Sequence, residues 1–310
     1  MNPNDRVTLI IPNYNGAELI AETLSRLRDV YSEIATCVVD DASTDGSVEL
    51  LQEQFPSVRV IARSQNGGFG AAVNDGIRTV DSEFVVILNA DVEVNPGFLE
   101  HILPIFEDES VFAVSPSIIT PSLGGIDDGA KIAFWRHGML WTDNVQGVCE
   151  LSPVFFTSGC ASVYRRSMLE ALGGFDEAYS PFYWEDVDLS YRAWKRGWKS
   201  LFQPSSSVLH QHSATISKMP QGYTRAVKAR NQLLFIWRNI EDWHLMRDHR
   251  RWLPLVLAKR VLSRDWPWIL GWKQARAKRE EALAAKYRDS AQRVLSDMDI
   301  FAYTNCNLQL

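Results

Sequence analysis

Three short stretches in the first hundred residues carry side chains suited to a charged ligand. They are Pro12-Asn13-Tyr14-Asn15-Gly16, Asp40-Asp41-Ala42-Ser43-Thr44-Asp45-Gly46 and Asn89-Ala90-Asp91-Val92-Glu93. Each directly follows a strand-like run: Val7 to Ile11, Ile34 to Val39 and Phe84 to Leu88. Ligands of open parallel sheets bind beyond the carboxyl ends of the strands, so all three stretches should line one crevice. Asn, Asp and Gly are also turn formers, and that alone would explain any single stretch. Three together, two of them acidic, point to a binding edge. So many carboxylates would repel a bare phosphate, and a divalent cation resolves the conflict. Mg²⁺ takes oxygen ligands and is commonly shared between one or two carboxylates and substrate phosphates, and Mn²⁺ suits the same donors. Asp91 is the first candidate ligand. Asn89 and Glu93 fall on the same side of an extended segment. A nucleoside diphosphate compound is the natural partner.

Two further constellations lie downstream. Phe182-Tyr183-Trp184-Glu185-Asp186-Val187-Asp188-Leu189-Ser190-Tyr191-Arg192 places three carboxylates at the start of a helix-like stretch, behind bulky aromatics. Acids at a helix N-terminus are favoured by the dipole and by capping, which accounts for one or two of them. A third, packed beside Trp184, can have a raised pKa and act as general base. Arg192 stands four residues after Asp188, the spacing of a helical ion pair. The other string is Val208-Leu209-His210-Gln211-His212-Ser213, where an imidazole could complete a metal site begun by carboxylates. Gly67-Gly68-Phe69-Gly70 precedes a helix and could offer backbone N–H groups to an anion, or simply make a tight turn. It lacks the lysine of a P-loop and the third glycine of a dinucleotide fingerprint. No His-Glu-x-x-His, Cys/His cluster or Gly-x-Ser-x-Gly occurs, which argues against zinc and serine hydrolases.

The elements that must position these residues alternate. Besides the strands above, Val58 to Ala62 reads as a strand, and Ala17 to Arg28, Ser47 to Gln54, Ala71 to Val80 and Pro96 to Phe106 read as helices, the second capped by Ser43 or Asp45. That order predicts an α/β fold with a mostly parallel sheet covered on both faces. Farther on, Val111 to Ser115 and Ala161 to Tyr164 read as strands, and Ser167 to Leu172 and Asp186 to Arg196 as helices ending at glycines. After about residue 222 the chain is almost wholly helical in pattern.

The 310 residues are 46% apolar and 23% charged, an ordinary globular composition. No apolar run approaches the length of a membrane-spanning helix, the start lacks a secretion-signal pattern, and Cys37, Cys149, Cys160 and Cys306 show no metal or disulfide spacing. The expectation is a cytoplasmic protein with reduced thiols. The net charge of −6 hides an asymmetry: residues 225–310 hold 17 Lys/Arg against 9 Asp/Glu, and six of the eleven tryptophans. Arg247, Arg250, Arg251, Lys259, Arg260 and Arg264, interleaved with Trp252, Trp266, Trp268 and Trp272, would suit an anionic leaflet. The same segment would equally suit packing on the core or a dimer interface. Acceptor contacts are expected in 120–160 and 205–225, where Gly124-Gly125, Trp135, His137 and Trp141 suggest mobile aromatic loops.

Taken in order, Thr8-Leu9-Ile10-Ile11-Pro12-Asn13-Tyr14-Asn15-Gly16, Val39-Asp40-Asp41-Ala42-Ser43-Thr44-Asp45-Gly46, Asn66-Gly67-Gly68-Phe69-Gly70, Leu88-Asn89-Ala90-Asp91, Gly173-Gly174-Phe175-Asp176 and Trp184-Glu185-Asp186-Val187-Asp188 resemble the family 2 glycosyltransferases of GT-A fold, over about residues 5 to 240. The resemblance implies a GT-A domain over 1–224, with a nucleotide-binding half to residue 110 and a metal, catalytic and acceptor half from 111. A basic helical extension over 225–310 would follow. It implies that Asp41 bonds a pyrimidine base, that Pro12, Asn13, Tyr14, Asn66, Gly67, Asn89 and Ala90 line the nucleotide, and that Asp91 and His210 hold Mg²⁺ or Mn²⁺. Asn89 stands where the family's metal motif has its first acid. Asp186 corresponds to the catalytic base, with Glu185 beside it, and Trp184 and Glu185 would shape the acceptor site. Inverting transfer by a single displacement is implied. Arg230-Asn231-Gln232-Leu233-Leu234-Phe235-Ile236-Trp237-Arg238-Asn239 is similar to bacterial rhamnosyltransferase-like members. That suggests a deoxythymidine-diphosphate rhamnose donor, otherwise a UDP-sugar, and a glycan or lipid-linked acceptor at the inner membrane face, touched through 243–280. Nucleic acid is not an expected partner, and oligomers are compatible with this reading. Two competing readings remain: a sugar-1-phosphate nucleotidyltransferase, which would need a basic Gly-rich loop after the first strand, and a non-catalytic scaffold that keeps the fold.

Overall fold

The computed structural model describes residues 6–121, 124–211 and 219–305. His212, Ser213 and Cys306 lie outside the described residues. Strands β1 (Val7–Asn13), β2 (Ala35–Asp40), β3 (Arg59–Ala62) and β4 (Phe84–Leu88) alternate with helices α1 (Ala17–Val30), α2 (Ser47–Gln54) and α3 (Phe69–Ile77). After β4 come the short β5 (Val92–Val94), α4 (Phe98–Ile102) with a 3₁₀ turn, then β6 (Val111–Thr120) and β7 (Ile126–Asp127). Strands β8 (Lys131–Arg136) and β9 (Met139–Asn144) form a separate hairpin, followed by β10 (Ser152–Pro153) and β11 (Ala161–Arg165). Next are α5 (Arg166–Leu172), α6 (Glu185–Lys195) and β12 (Lys199–His210), then five closing helices: α7 (Gln221–Asn239), α8 (Trp243–Leu262), α9 (Trp266–Ala277), α10 (Arg279–Asp289) and α11 (Asp297–Asn305).

The main sheet runs β10-β12-β6-β11-β4-β1-β2-β3. Strands β1, β2, β3 and β4 are mutually parallel, and β12 is parallel to β6, while β11 runs antiparallel between β4 and β6. This is the expected mostly parallel α/β sheet. One face buries Leu9, Ile11, Val38 and Val86 against α1, α2 and α4. The other buries Ile10, Val39 and Ile87 against α3, α5 and α6. Period-two alternation along each strand thus feeds both layers. Among the described residues no helix is long and apolar enough to cross a membrane.

Several expectations are corrected. The helix expected over Pro96 to Phe106 is a five-residue α-helix continued as a 3₁₀ turn. Helix α2 is not capped by Ser43. Its N-cap is Gly46, and Asp45 accepts from the Ser47 and Ala17 amides, tying the starts of α1 and α2 together. Trp135, His137 and Trp141 are not in mobile loops. They sit on the β8–β9 hairpin, whose two-residue turn puts His137 and Gly138 at φ 52° and 69°, as a type I′ turn requires. The hairpin is pinned by α8: Asp248 accepts from the Trp135 indole (2.9 Å) and the Gly138 amide (3.0 Å), and the His137 ring packs against Trp252 at an interplanar angle of 46°.

The C-terminal helices pack on the body. Trp268 is buried beneath Arg260, and Trp272 packs against the same cluster, so these two tryptophans serve the interior rather than an outer face. Gly271 lets α9 cross α7 closely, because any Cβ there would collide with the Ala226 carbonyl. His249 joins helix and hairpin: its Nδ1–H donates to the Gly138 carbonyl (2.6 Å) and its Nε2 accepts from the Trp237 indole (3.0 Å). Burial lowers its pKa, outweighing the Gly138 bond. A lowered folded pKa means that the contribution of neutral His249 is complete above about 6.5 and is lost as pH falls through the folded value. The thermal midpoint should therefore drop on mild acidification. His249→Gln, followed by calorimetry between pH 5 and 8, should lower the midpoint at neutral pH and remove this part of the slope.

Candidate active site

The crevice is built from strand ends. At the end of β1, Asn13 is buried and spends its side-chain amide on Asp40 Oδ2 (2.9 Å), and Asp40 Oδ1 accepts from the Ser43 amide. Asn15, at φ 50°, accepts from the Thr44 amide, and its own amide donates to Ser43 Oγ. The loops after β1 and β2 are thereby zipped together, which leaves Pro12 half-buried and Tyr14 exposed at the rim.

Asp41 is the hub of the crevice beyond β1, β2 and β3. Its carboxylate accepts from the Gly67 (3.0 Å) and Gly68 (2.8 Å) amides and from Arg63, which also grips Asp75. The anion that the Gly67-Gly68 amides hold is thus one of the chain's own side chains. Gly68 has φ 85°, and a Cβ there would lie 2.6 Å from the Pro181 carbonyl oxygen. The turn is therefore pressed against residues 180–184: the Phe69 amide donates to Pro181 O (3.0 Å), and Ser180 Oγ donates to Gly67 O (2.6 Å). Asn66 is exposed next to this turn.

Beyond β4, Asp91 and His210 meet: Nε2 of the imidazole lies 3.2 Å from Asp91 Oδ1. The pairing of β5 with β12 brings them together, with His210 opposite Val92. Burial would depress the His210 pKa, but its bonds to Asp91 and to the Cys160 thiol outweigh this and push it up to about 10. A cation bound there would displace the imidazole proton, and an oxygen and a nitrogen donor would then converge at one point, leaving the remaining positions of Mg²⁺ or Mn²⁺ to substrate phosphate and water. Among the described residues no group of three or more His, Cys, Asp or Glu is arranged to hold a metal ion by itself. Glu93 does not face this point: its carboxylate pairs with Arg26 of α1. Asn89 donates its amide to Cys160 O (2.8 Å), and the Ala90 carbonyl accepts from Thr23.

The three acids at the head of α6 are sorted by their surroundings. Asp186 is partly exposed and accepts from the Gly159 (3.2 Å) and Val187 (2.8 Å) amides. Glu185 is buried, and its Oε2 has no hydrogen-bond donor among the described residues. Burial first, and the Asp186 charge second, push Glu185 well above the usual carboxylate range. The surrounding protein also raises Asp186, but its backbone donors oppose the rise. A proton shared by the two therefore rests on Glu185, and Asp186 keeps the charge. Asp188 is fully buried and ion-paired with Arg192 (2.6 Å), at the expected i,i+4 spacing, and with Arg238 (3.1 Å).

One peptide links the halves of the crevice. Gly159 holds Asp186, while Cys160 accepts from Asn89 and touches His210. Two residues missed in the sequence complete the site. Arg63 ends β3 as the polar clusters end β1, β2 and β4, a signal that was available. Asn231 donates to three carbonyls, Tyr179 (2.6 Å), Phe182 (3.0 Å) and Tyr183 (2.7 Å). It thereby fixes a turn in which Tyr183 and Trp184 both take left-handed φ values of 70° and 78°. Such conformations cost of order 1–3 kcal/mol each and persist only when the surroundings impose them. Asn231→Ala should release that turn, misplace Asp186 and lower turnover at least tenfold, with nucleotide affinity changing less. Steady-state kinetics beside a nucleotide titration would separate the two effects.

This arrangement of sheet, acidic strand ends and helix-borne acids is the GT-A architecture. Solved structures of the same fold include GalNAc-T7 with UDP, GalNAc and Mn²⁺, at a TM-score of 0.61 and 18% identity, covering 75% of this chain and 47% of that one. Another is residues 1–349 of S. aureus TarS with UDP-GlcNAc, at a TM-score of 0.56 and 17% identity, covering 96% and 89%. The sequence model of "Glycosyl transferase family 2" matches residues 8–173, and that of "Glycosyltransferase like family 2" matches 146–229. The N-acetylglucosaminyl-diphospho-decaprenol L-rhamnosyltransferase of Mycobacterium tuberculosis is 30% identical over 263 residues, 75% of this chain and 84% of that protein. The chain belongs to glycosyltransferase family 2, and its likeness within the family is to a rhamnosyltransferase.

Proposed function

We propose that this glycosyltransferase moves a sugar, with inversion, from a nucleoside-diphosphate donor to a hydroxyl of a lipid-linked glycan in bacterial surface polysaccharide synthesis. The donor is dTDP-rhamnose, with a UDP-sugar as the alternative. The observation that carries this reading is the convergence of Asp91 and His210 on one side of the Gly159–Cys160 peptide with Asp186 on the other. The relative named above acts, by its name, on a decaprenol-linked N-acetylglucosamine, which supports a lipid-linked acceptor.

In this reading Asp41, which has room for about four hydrogen bonds on its carboxylate and three donors upon it, takes the pyrimidine N–H as a fourth. Asp91 and His210 hold Mg²⁺ or Mn²⁺, which supplies positive charge for the departing diphosphate. Asp186 accepts the acceptor's hydroxyl proton as that oxygen bonds the anomeric carbon. The carbon–oxygen bond to phosphate breaks on the opposite face, and its electron pair leaves with the nucleoside diphosphate. Protonated Glu185 keeps a second negative charge away from the nucleophile. The exposed side of 243–280 contacts an anionic leaflet and brings the crevice to its acceptor.

The test is turnover of a panel of nucleotide sugars with Mg²⁺ or Mn²⁺ and a polyprenyl-diphosphate-linked N-acetylglucosamine. Metal-dependent transfer of rhamnose is expected. Failure to bind any nucleoside diphosphate in the presence of metal would defeat the reading. Release of pyrophosphate from a nucleoside triphosphate would favour a nucleotidyltransferase instead. The position that such an enzyme needs for its basic loop is poorly supplied here, since Arg26 is committed to Glu22 and Glu93.

A further inference from the structure

Outside the crevice, a groove of about 300 Å³ opens between the β8–β9 hairpin and helices α8 and α9. Its walls are Met139 and Trp141 from the hairpin, Trp252, Leu255 and Val256 from α8, and Trp268 from α9. Lys259 and Arg260 stand at the same groove. The volume is at the lower end of small-molecule sites, and an apolar lining with a few polar groups is their usual make-up. Leu255 is 59% exposed, and farther along the chain Leu262 (84%) and Trp266 (58%) are exposed as well. Arg260 is ion-paired with Asp265 and lies over Trp268, so its charge is largely answered. Lys259 has no ion-pair partner among the described residues.

We infer that this groove seats the first isoprenoid units of a polyprenyl phosphate, with the phosphate on Lys259. The chemistry is that of a hydrocarbon joined to an anion, matched by an apolar channel with an unanswered cation. A second copy of the chain is a poor occupant: residues 243–280 carry ten Lys/Arg against three Asp/Glu, so self-association would bring like charge together. Helix α7 joins groove and catalytic turn. Gln232 lines the groove and donates to Leu140 O (2.7 Å), while its neighbour Asn231 holds the turn before Asp186. A lipid anchored in the groove would thus be held against the same helix that sets the catalytic base. The inference rests on the lipid-linked acceptor proposed above.

The test uses the full chain and farnesyl phosphate below its micelle concentration, with farnesol and inorganic phosphate as separate probes, read by calorimetry and tryptophan fluorescence. Farnesyl phosphate should bind at least tenfold more tightly than either control. Leu255→Asp should weaken it at least tenfold. Lys259→Glu should weaken farnesyl phosphate at least tenfold and leave farnesol unchanged. Both side chains are on the surface, and unchanged melting curves would show that the variants fold. Wild-type affinity in both variants would overturn the inference. So would a dimer that Leu255→Asp dissociates while farnesyl phosphate fails to bind. Nucleoside diphosphate binding, measured on the same samples, separates the two claims: if it persists while farnesyl phosphate does not bind, only the groove assignment fails, and if it is absent, the donor reading fails.

Discussion

Asp186→Asn should lower kcat by about 10²–10⁴-fold, the usual contribution of a positioned base, and leave nucleoside diphosphate affinity within about twofold. The substitution keeps the shape of the side chain and an oxygen for one of the two amides, which Asp186 receives on separate oxygens (Gly159 on Oδ2, Val187 on Oδ1), so α6 should begin where it does now with one backbone bond lost. What disappears is the ability to take a proton. In the proposed reading the groups that would hold metal and nucleotide, Asp91, His210 and Asp41, are other than Asp186, which is why binding should survive. The pH profile carries a second signature. The protein around Asp186 raises its pKa, and a base is active only when deprotonated, so kcat should fall with acid at a pH above the ordinary carboxylate range. The residual rate of the variant should have lost that limb. A scaffold that merely retains the fold would give an unaltered cellular phenotype with Asp186→Asn. Nucleotide binding by calorimetry beside single-turnover kinetics distinguishes these outcomes, and equal loss of both would remove Asp186 from the base's role.

The parts of this site that were legible in the sequence are those encoded by nearest neighbours along the chain. Strand–helix alternation over β1 to β4 follows from β-branched runs separated by amphipathic stretches. The start of α6, expected at Asp186 and found one residue earlier at Glu185, and the Asp188–Arg192 pair within it, follow from helical spacing. What stayed hidden was the identity of each partner across the fold. Asp41 and Gly67-Gly68 both carry clear signals, but nothing local says that the carboxylate is the anion those amides hold. Glu93 shares a period-two face with Asp91, yet β5 is only three residues long, and Arg26 on α1 is near enough to claim its carboxylate. Strand β12 was obscured by Gln203-Pro204-Ser205-Ser206, a proline-bearing polar run that reads as a break and is accommodated as a register shift against β6. The aromatic residues of the hairpin resembled a loop because their partners, Asp248 and Trp252, come more than a hundred residues later.

The second large effect separates stability from chemistry within one turn of the same helix. Asp188→Asn should destabilise the protein by about 3–5 kcal/mol, the cost of stripping one member from a buried ion pair. Asp188 has no exposed surface, accepts from Arg192, the Tyr179 hydroxyl (2.9 Å) and the Asn239 amide (2.7 Å), and is ion-paired with Arg238. Burial alone would raise its pKa, yet the charges of Arg238 and Arg192 hold it below the usual carboxylate value. A lowered folded pKa contributes stability that is complete above the unfolded value of about 3.9 and is lost only as pH falls through the folded one. The deficit of the variant should therefore be constant from pH 5 to 8, unlike that of His249→Gln. Loss of the charge strands Arg192, whose other acceptors are the carbonyls of Leu172 and Gly174, more severely than Arg238, which keeps Asp176 and Asp289. Pairing Asp188→Asn with Arg192→Met should recover part of the loss, because the stranded cation goes with its partner. Denaturant unfolding of the two single variants and the double variant measures this coupling. A single variant as stable as the parent would mean that the buried cluster contributes nothing, and that the turn before Asp186 is held without it by Asn231, Arg230 and the Gly67–Phe69 segment.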